Sequence, residues 1–279
     1  MPSSTPSASD DGYDSEISST TSSDHLITDL DFDPSITSTT FLTHCKPLLT
    51  VPQNPTEVTN PFYTSMIHSR RNAWSAANHF LPNSETRPYP IWCFDRLGKT
   101  KTKITTPIET SRVGILPVGT EIRIGGEHED FYDPDFFIYN DVTIVIPETK
   151  ETHVFQYPRD VFPPTDFHTA TLVDDQIYVI GNVGYMGERG TKAQVCVLDL
   201  KTLAMAMVET DGDDPGWISR HDASLNEGGN IVVAIEKDAF CVKDGGCQPG
   251  KWVFSVADAR WMKLDTQGEE QNGEGSVGR

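Results

Sequence analysis

The sequence has few basic residues, and this shortage excludes two classes of partner. Its 279 residues contain 22 Lys and Arg against 41 Asp and Glu, which gives a formal net charge of −19 at pH 7. Affinity for nucleic acid comes largely from clustered Lys and Arg that release counterions from the phosphates. Binding to an anionic membrane surface needs basic clusters for the same reason. We therefore expect neither a nucleic-acid nor a membrane partner.

Long apolar runs and paired cysteines are also missing. No stretch approaches the ~20 apolar residues that a membrane-spanning helix needs, and the first residues form no apolar signal core. An odd and sparse set of cysteines is typical of reduced thiols in the cytosol or nucleus; the set is Cys45, Cys93, Cys196, Cys241 and Cys247. Cys241 and Cys247 could close a small loop or supply two metal ligands, but no second pair has zinc-site spacing. The sequence predicts a cytoplasmic or nuclear protein.

The sequence motifs of common enzymes are absent. There is no Gly-x-Ser-x-Gly elbow, phosphate loop, His-Glu-x-x-His motif or dinucleotide fingerprint. One dense group of potential metal ligands follows Gly126 and consists of Glu127, His128, Glu129, Asp130, Asp133 and Asp135. Such groups can bind a divalent ion, but consecutive acids repel one another and these lack a regular spacing. We interpret the group as a solvated loop and predict no cofactor and no catalytic residue, with metal binding as the open alternative.

Composition divides the chain into four segments. Residues 1–40 contain eight acids, no Lys or Arg and 18 Ser or Thr, a composition that predicts a disordered tail. Residues 41–90 contain seven prolines, which exclude long helices and predict an extended lead-in with at most a helical turn or two. Residues 91–265 are rich in short β-type runs. Residues 266–279, rich in Gly, Glu and Gln, are predicted to be disordered.

A segment that occurs three times, about 50 residues apart, organises the β-rich part. Each copy is a short run that leads into a more apolar run, at residues 112–126, 167–182 and 220–234. Runs of this kind, separated by glycine loops, predict four-stranded antiparallel meanders.

The start of the first copy has two interpretations. Arg96 also looks like an opening residue, but it lies 29 residues before Gly125, whereas Phe167 lies 14 before Gly181. Either the copy begins at Arg112, or residues 103–118 are an insertion. The insertion is slightly favoured, because residues 96–100 match the third copy at an Arg and at a Ser or Thr.

The repeat resembles the kelch repeat. That family has an Arg or His start, an apolar strand that ends in Gly-Gly, a later strand that ends in Asp, and a Trp six residues past the Asp. The matching residues are Gly125, Gly126, Gly181, Asp199 and Trp261. In the second copy Asn182 replaces a glycine and Met205 the Trp, and in the third the Gly-Gly is lost and Ser255 replaces the Asp.

The resemblance covers residues 91–265. It implies an all-β fold, a partial kelch-type β-propeller of about three to four four-stranded antiparallel blades with disordered termini. His168 and His221 recur at one blade position, the second of them next to Arg220, and such repetition is typical of structural residues. The glycines are expected where blades crowd and the backbone needs a positive φ and a close approach, and Trp261 is expected to pack between neighbouring blades.

Kelch propellers usually close with about six or seven blades, so the open edges need the lead-in or a second chain to cover them. We predict a non-enzymatic module that binds a protein partner through its inter-strand loops. The expected contact residues are Glu127, His128, Asp130, Phe131, Tyr132, Phe136, Phe137, Tyr185 and Trp217. The alternatives are a metal-dependent or oxidase-like enzyme of the same superfamily, a truncated propeller without independent activity, and self-association that completes the propeller.

Overall fold

The computed structural model of the protein describes residues 31–46, 51–83, 92, 94, 96, 98–103, 112–113, 116–128, 136–146, 149, 151–236 and 248–264. Within these residues the helices are α1 (Ser38–His44), α2 (Pro61–Ser69) and α3 (Ala73–Phe80), and one 3-10 turn spans Met186–Glu188. The strands are β1 (Thr56–Glu57), β2 (Thr100–Lys103), β3 (Arg112–Val113), β4 (Leu116–Pro117), β5 (Glu121–Ile124), β6 (Glu127–His128), β7 (Phe137–Ile138), β8 (Asp141–Val145), β9 (Thr152–Gln156), β10 (Thr169–Val173), β11 (Gln176–Ile180), β12 (Val195–Asp199), β13 (Met205–Met207), β14 (Asp211–Gly212), β15 (Asp222–Leu225), β16 (Ile231–Ile235), β17 (Gly250–Ser255) and β18 (Arg260–Lys263).

Three sheets contain most of these strands. The first sheet has the order β1-β9-β8-β5-β2, the middle sheet β10-β11-β12-β13, and the third sheet β14-β18-β17-β16-β15. Each contains a four-stranded antiparallel meander, and β14 adds to the third sheet in parallel with β18. The short hairpins β3-β4 and β6-β7 lie in the connections of the first sheet. The all-β prediction is confirmed, and none of these sheets closes on itself in the described part of the chain.

Alternating apolar residues place the core between the sheets. One side of the middle sheet, with Val179 and Leu198, packs against Ile124 and Val142 of the first sheet. Its other side, with Tyr178 and Ile180, packs in one cluster with residues of the third sheet, including Trp261. The middle sheet is therefore covered on both faces.

The lead-in differs from the expected extended chain, because it forms three short helices. Side chains cap each start: Thr37 accepts from the Thr40 N–H, Asn60 from the Phe62 N–H and Asn72 from the Ser75 N–H. Pro61 occupies the first helical position of α2, where a missing N–H is tolerated. The prolines thus set helix boundaries, and α1 begins within the segment expected to be disordered.

The helices bury an aromatic cluster against the first sheet. Phe41 stacks on Phe80 at 5.1 Å between ring centroids, and Tyr63 stacks on Trp92 at 5.0 Å. Val154 of β9 belongs to this cluster, whereas the next residue along β9 faces the middle sheet. The helices therefore cover the side of the first sheet that faces away from the middle sheet.

The first repeat begins at Thr100. Strand β2 pairs with β5, with Thr100 opposite Ile124, just as Thr169 lies opposite Ile180. Among the strands that the structure describes, β3 and β4 pair only with each other, so they are not the counterpart of the other two openings. The structure agrees with an insertion after β2.

The sequence match of Arg96 to Arg220 is shifted by two residues. The Phe167 N–H donates to the Gly98 carbonyl at 2.7 Å, and the Arg220 N–H donates to the Phe167 carbonyl at 2.8 Å. These three residues all have positive φ, at 59°, 48° and 53° respectively. The repeated feature is therefore a left-handed backbone step before each first strand, which residue types alone do not mark.

Candidate protein-binding surface

The structure brings two of the predicted loops together. The rings of Phe136 and Tyr185 are nearly perpendicular, at 84°, with centroids 5.8 Å apart. The Ile138 N–H of hairpin β6-β7 donates to the Tyr185 hydroxyl at 2.8 Å. A loop of the first sheet and a loop of the middle sheet therefore form one surface. We call the surface of Phe136, Arg159, Tyr185, Met186 and Glu188 the loop surface.

Hydrogen bonds with Asp166, Arg189 and Trp217 hold the start of the loop at residues 183–190. The Asp166 carboxylate accepts from the Gly184 N–H at 2.8 Å, and the Asp166 carbonyl accepts from the Val183 N–H at 3.1 Å. The Arg189 side chain and the Trp217 indole both donate to the Val183 carbonyl, at 2.8 and 3.3 Å. Because the backbone groups of Val183 and Gly184 are paired, the start of this loop is a preorganised part of the surface.

Side-chain exposure on the loop surface is uneven. Met186 is 83% exposed and Phe136 is 44% exposed, whereas Tyr185 is half-buried, and this burial raises the pKa of its hydroxyl. Arg159 donates two 2.9 Å hydrogen bonds to Glu188 and lies over the Tyr185 ring. The pair is exposed, so its effect on stability is small, but it orders both side chains beside the aromatic residues.

A buried polar network supports this surface. The Asn182 amide donates to the Pro164 carbonyl and the Gln194 side chain, and its oxygen accepts from the Asp166 N–H. Gln194 in turn donates to the Thr165 hydroxyl at 2.9 Å. Buried polar groups that are paired in this way specify one conformation. In the repeat pattern Asn182 is only the replacement of a glycine, and no residue near it in sequence indicates these partners.

A cavity of about 350 Å³ lies beside this loop, next to the outer strands of the middle sheet. Its apolar lining includes Pro163, Val195, Met207 and Trp217, and its polar lining includes Glu209. Trp217 packs close to Gly190, where an added Cβ would lie 3.1 Å from the indole ring. The volume is in the range that accepts a small ligand or a few side chains.

The other predicted contact residues are placed differently. Hairpin β6-β7 turns the Glu127 side chain inward, where it is buried. Glu127 is therefore not part of the exposed surface. The half-buried Phe137 packs its ring on Tyr139 at 5.0 Å, and His128 is half-buried. Asp130, Phe131 and Tyr132 lie outside the described residues.

His168 and His221, two of the predicted structural residues, lie where neighbouring sheets meet. His168 and His221 each place Nε2 next to a threonine hydroxyl, that of Thr100 at 2.9 Å and that of Thr169 at 3.0 Å. Burial lowers the pKa of His168 to about 3, with a contribution from the charge of His221, and burial lowers the pKa of His221 to about 4. Both imidazoles are therefore neutral at pH 7.

The glycines of the motif are required by close backbone approach. A Cβ added at Gly125 would lie 2.2 Å from the Thr165 carbonyl oxygen, and one at Gly181 would lie 2.5 Å from Cε1 of His221. Both residues have positive φ, 53° and 83°. The Gly126 N–H donates to the same Thr165 carbonyl at 2.8 Å. Only glycine fits these conditions without strain.

Asp199 and Trp261 lie on the outer half of their sheets. Asp199 accepts hydrogen bonds from the Lys201 and Thr202 N–H groups, and hydrogen bonds from Thr202 contribute most to lowering its pKa. Trp261 is 1% exposed and its ring lies 5.0 Å from that of Phe254. Both residues therefore have structural positions, one in a turn and one in the core.

Arg96 and Asp141 form a buried ion pair that was not predicted from the sequence. Arg96 donates to both carboxylate oxygens of Asp141, at 2.5 and 3.0 Å, and the Trp92 indole donates to the same carboxylate at 3.1 Å. The guanidinium also lies over the Tyr139 ring, 3.4 Å from its centroid. The sequence separation of 45 residues between Arg96 and Asp141 leaves no local signal for this pair.

No group of three or more His, Cys, Asp or Glu that could hold a metal occurs among the residues that the structure describes. Of the acidic group after Gly126, only Glu127 and His128 are among those residues. Cys45 and Cys196 are buried free thiols, and burial raises the pKa of Cys196 to about 12. Cys93, Cys241 and Cys247 lie outside the described residues. No helix in the described ranges is long and apolar enough to cross a membrane.

No protein-family model matches the chain, and no curated protein is similar to it. The kelch resemblance therefore depends on the repeat residues themselves.

Proposed function

We propose that this chain is a non-enzymatic protein-interaction module whose loop surface binds a protein partner. The observation that carries the proposal is the contact between Phe136 and Tyr185, which joins loops of two sheets into one surface. Aromatic residues contribute much of the binding energy in protein interfaces. A loop with paired backbone groups loses little conformational entropy when a partner binds.

We also propose that the three sheets are consecutive blades of a partial kelch-type β-propeller. Three features support this: each sheet contains a four-stranded antiparallel meander, β10 lies beside both β2 and β15, and the His–Thr bond recurs at each joint. Loops at the ends of such blades are frequent binding sites, which fits the position of the loop surface.

The test is capture of partners by the full chain from a lysate of its native cell, followed by quantitative mass spectrometry. We expect Tyr185→Ala to reduce the capture of the main specific partner by about ten-fold, as removal of a central aromatic residue does. Trp74→Ala is the matched control, because Trp74 is 59% exposed on α3, outside the loop surface. Equal capture by wild type, Tyr185→Ala and Trp74→Ala would contradict the proposal.

A second candidate partner is another copy of this chain, at the third sheet. Helices cover the outward side of the first sheet, whereas Met262 and Leu264 of the third sheet are 43% and 42% exposed. Exposed apolar residues at the end of a sheet stack favour association. Light scattering should give a dimer that Met262→Lys converts to a monomer, and a wild-type monomer would exclude this candidate.

A further inference from the structure

The outer strands of the three sheets are covered differently. In the first sheet β1 pairs with β9, and in the third sheet β14 pairs with β18. Among the described residues, no strand pairs with the outer side of β13 in the middle sheet. The middle sheet therefore has four strands where its two neighbours have five.

One side chain takes the place of the missing strand at a single residue. Asn54 Nδ2 donates to the Met205 carbonyl at 2.7 Å, and the Met205 N–H donates to Asn54 Oδ1 at 2.9 Å. An amide side chain has the same donor and acceptor as a backbone peptide. The Asn54 side chain therefore pairs with β13 as a strand residue would, but only at Met205.

The strand register shows that Met207 presents its backbone outward. The Asp199 N–H donates to the Ala204 carbonyl, and the Val208 N–H donates to the Val195 carbonyl. Hydrogen-bonded pairs alternate along an antiparallel ladder, and Met207 lies opposite Cys196, between two such pairs. Its N–H and carbonyl therefore point away from β12, and within the described part of the chain neither has a hydrogen-bond partner.

The cavity of about 350 Å³ begins at this residue. Met207, which is 44% exposed, lies on its wall together with Val195 and Trp217. Side chains of an extended peptide alternate between two sides. A peptide that pairs with Met207 can therefore place one side chain in the cavity and the next in solvent.

The residues that follow β13 give its outer edge negatively charged surroundings. The chain continues from β13 into Glu209, Asp211 and Asp213, all of which are exposed, and Lys192 is the basic residue on the cavity wall. The whole chain has a net charge of −19. Complementary charge speeds association and excludes like-charged segments. This disfavours residues 1–40 of the chain, which contain eight acids and no Lys or Arg, and favours a basic partner.

We propose that β13 accepts a strand in trans: an extended Lys- or Arg-rich segment of a partner protein pairs its backbone with Met207 and places one side chain in the cavity. This is β-strand addition, in which backbone hydrogen bonds give affinity and alternate side chains give specificity. The inference rests on the proposed function and names the kind of segment that the partner contributes.

The test uses the full chain and a fluorescent peptide of about nine residues that alternates lysine and valine, a length typical of one strand. Binding is measured by fluorescence anisotropy. Met207→Pro removes the outward N–H without breaking the pairs to β12, because proline is tolerated on a strand edge that faces solvent. Met207→Ala, the matched control, removes the same side chain from the cavity wall but keeps the N–H, and we expect Met207→Pro to bind about ten-fold more weakly than Met207→Ala.

Two matched peptides keep the test independent of the folding of any variant. A peptide with N-methyl groups on the pairing side cannot donate backbone hydrogen bonds, so it should bind the wild-type chain about ten-fold more weakly. A glutamate–valine peptide should bind weakly as well. Equal affinity for the methylated and unmethylated peptides, or no saturable binding of the lysine–valine peptide, would overturn the inference.

Different results would contradict partner binding at the loop surface and strand addition at β13. If Tyr185→Ala abolishes capture of the native partner and Met207→Pro does not, the loop surface binds the partner and strand addition at β13 is wrong. A dimer that Met207→Pro dissociates would also overturn the inference, since the occupant of the edge would then be a second copy of the chain.

Discussion

Nε2 of His221 lies 3.0 Å from the hydroxyl of Thr169, so the start of the third sheet is bonded to the first strand of the middle sheet. The same contact occurs one sheet earlier, between His168 and Thr100. Both histidines are buried. A bond that recurs at each junction is a structural joint, and this agrees with the role that repetition in the sequence suggests for these histidines.

The two joints make the fold sensitive to acid. In the folded protein the pKa of His168 is lowered to about 3 and that of His221 to about 4, whereas an unfolded histidine has a pKa of about 6.5. The unfolded chain therefore binds protons that the folded chain does not, and stability falls as the pH drops from about 6.5 towards 4. At pH 5 each histidine should lower the free energy of unfolding by about 2 kcal/mol.

The measurement is denaturant unfolding at pH 7 and pH 5 for wild type and the double variant His168→Gln/His221→Gln. The variant should lose less stability between the two pH values, because glutamine does not titrate. His153→Gln is the control, since His153 is partly exposed on β9. A double variant with the same pH dependence as wild type would show that these histidines are not the cause.

Gly181 should be intolerant of any side chain. An added Cβ would lie 2.5 Å from His221 and 2.6 Å from the Ile218 carbonyl oxygen, at a φ of 83°. We expect Gly181→Ala to lower the free energy of unfolding by about 2 to 4 kcal/mol, through strain and steric overlap. Gly187→Ala is the matched control because no atom lies within 4 Å of its added Cβ, and its effect should stay within about 0.5 kcal/mol. Similar unfolding midpoints for both variants would contradict this explanation.

The parts of the fold that depend on local spacing could be predicted from the sequence. The six-residue spacing placed Met205 and Trp261 at equivalent positions, and the register agrees, with Met205 opposite Leu198 and Trp261 opposite Phe254. The apolar run at residues 177–180 predicted a strand, and β11 lies there with side chains of both faces buried. Periodicity sufficed here because each side chain is positioned by its own strand.

Features that depend on contacts distant in sequence could not be predicted. Asn54 bonds to Met205 across 151 residues, and no pattern near either residue indicates this. Gly98, Phe167 and Arg220 share a positive φ rather than a residue type, so the start of the first repeat was obscured. The prolines of the lead-in predicted an extended chain with at most a helical turn or two, although Pro61 begins a helix.

Trp261 should be a main stabilising residue of the third sheet. It is 1% exposed and joins a cluster that includes Tyr178 of the middle sheet. Trp261→Ala should lower the free energy of unfolding by about 3 to 5 kcal/mol, because it removes a large buried side chain and leaves a cavity. The exposed Trp74 provides the control, and Trp74→Ala should change stability by less than about 1 kcal/mol. An unchanged denaturant midpoint for Trp261→Ala would mean that this residue does not join the sheets.

The buried pair of Arg96 and Asp141 should respond differently to single and double substitution. Asp141→Asn leaves a buried guanidinium without its carboxylate, and we expect a loss of about 3 to 5 kcal/mol in the free energy of unfolding. Arg96→Met with Asp141→Leu removes both charges and should restore much of this loss, because apolar replacement of a buried pair is often nearly neutral. Glu188→Gln breaks the exposed pair with Arg159 and should lose less than about 1 kcal/mol. If urea unfolding shows Asp141→Asn to be as mild as Glu188→Gln, the buried pair does not stabilise the first sheet.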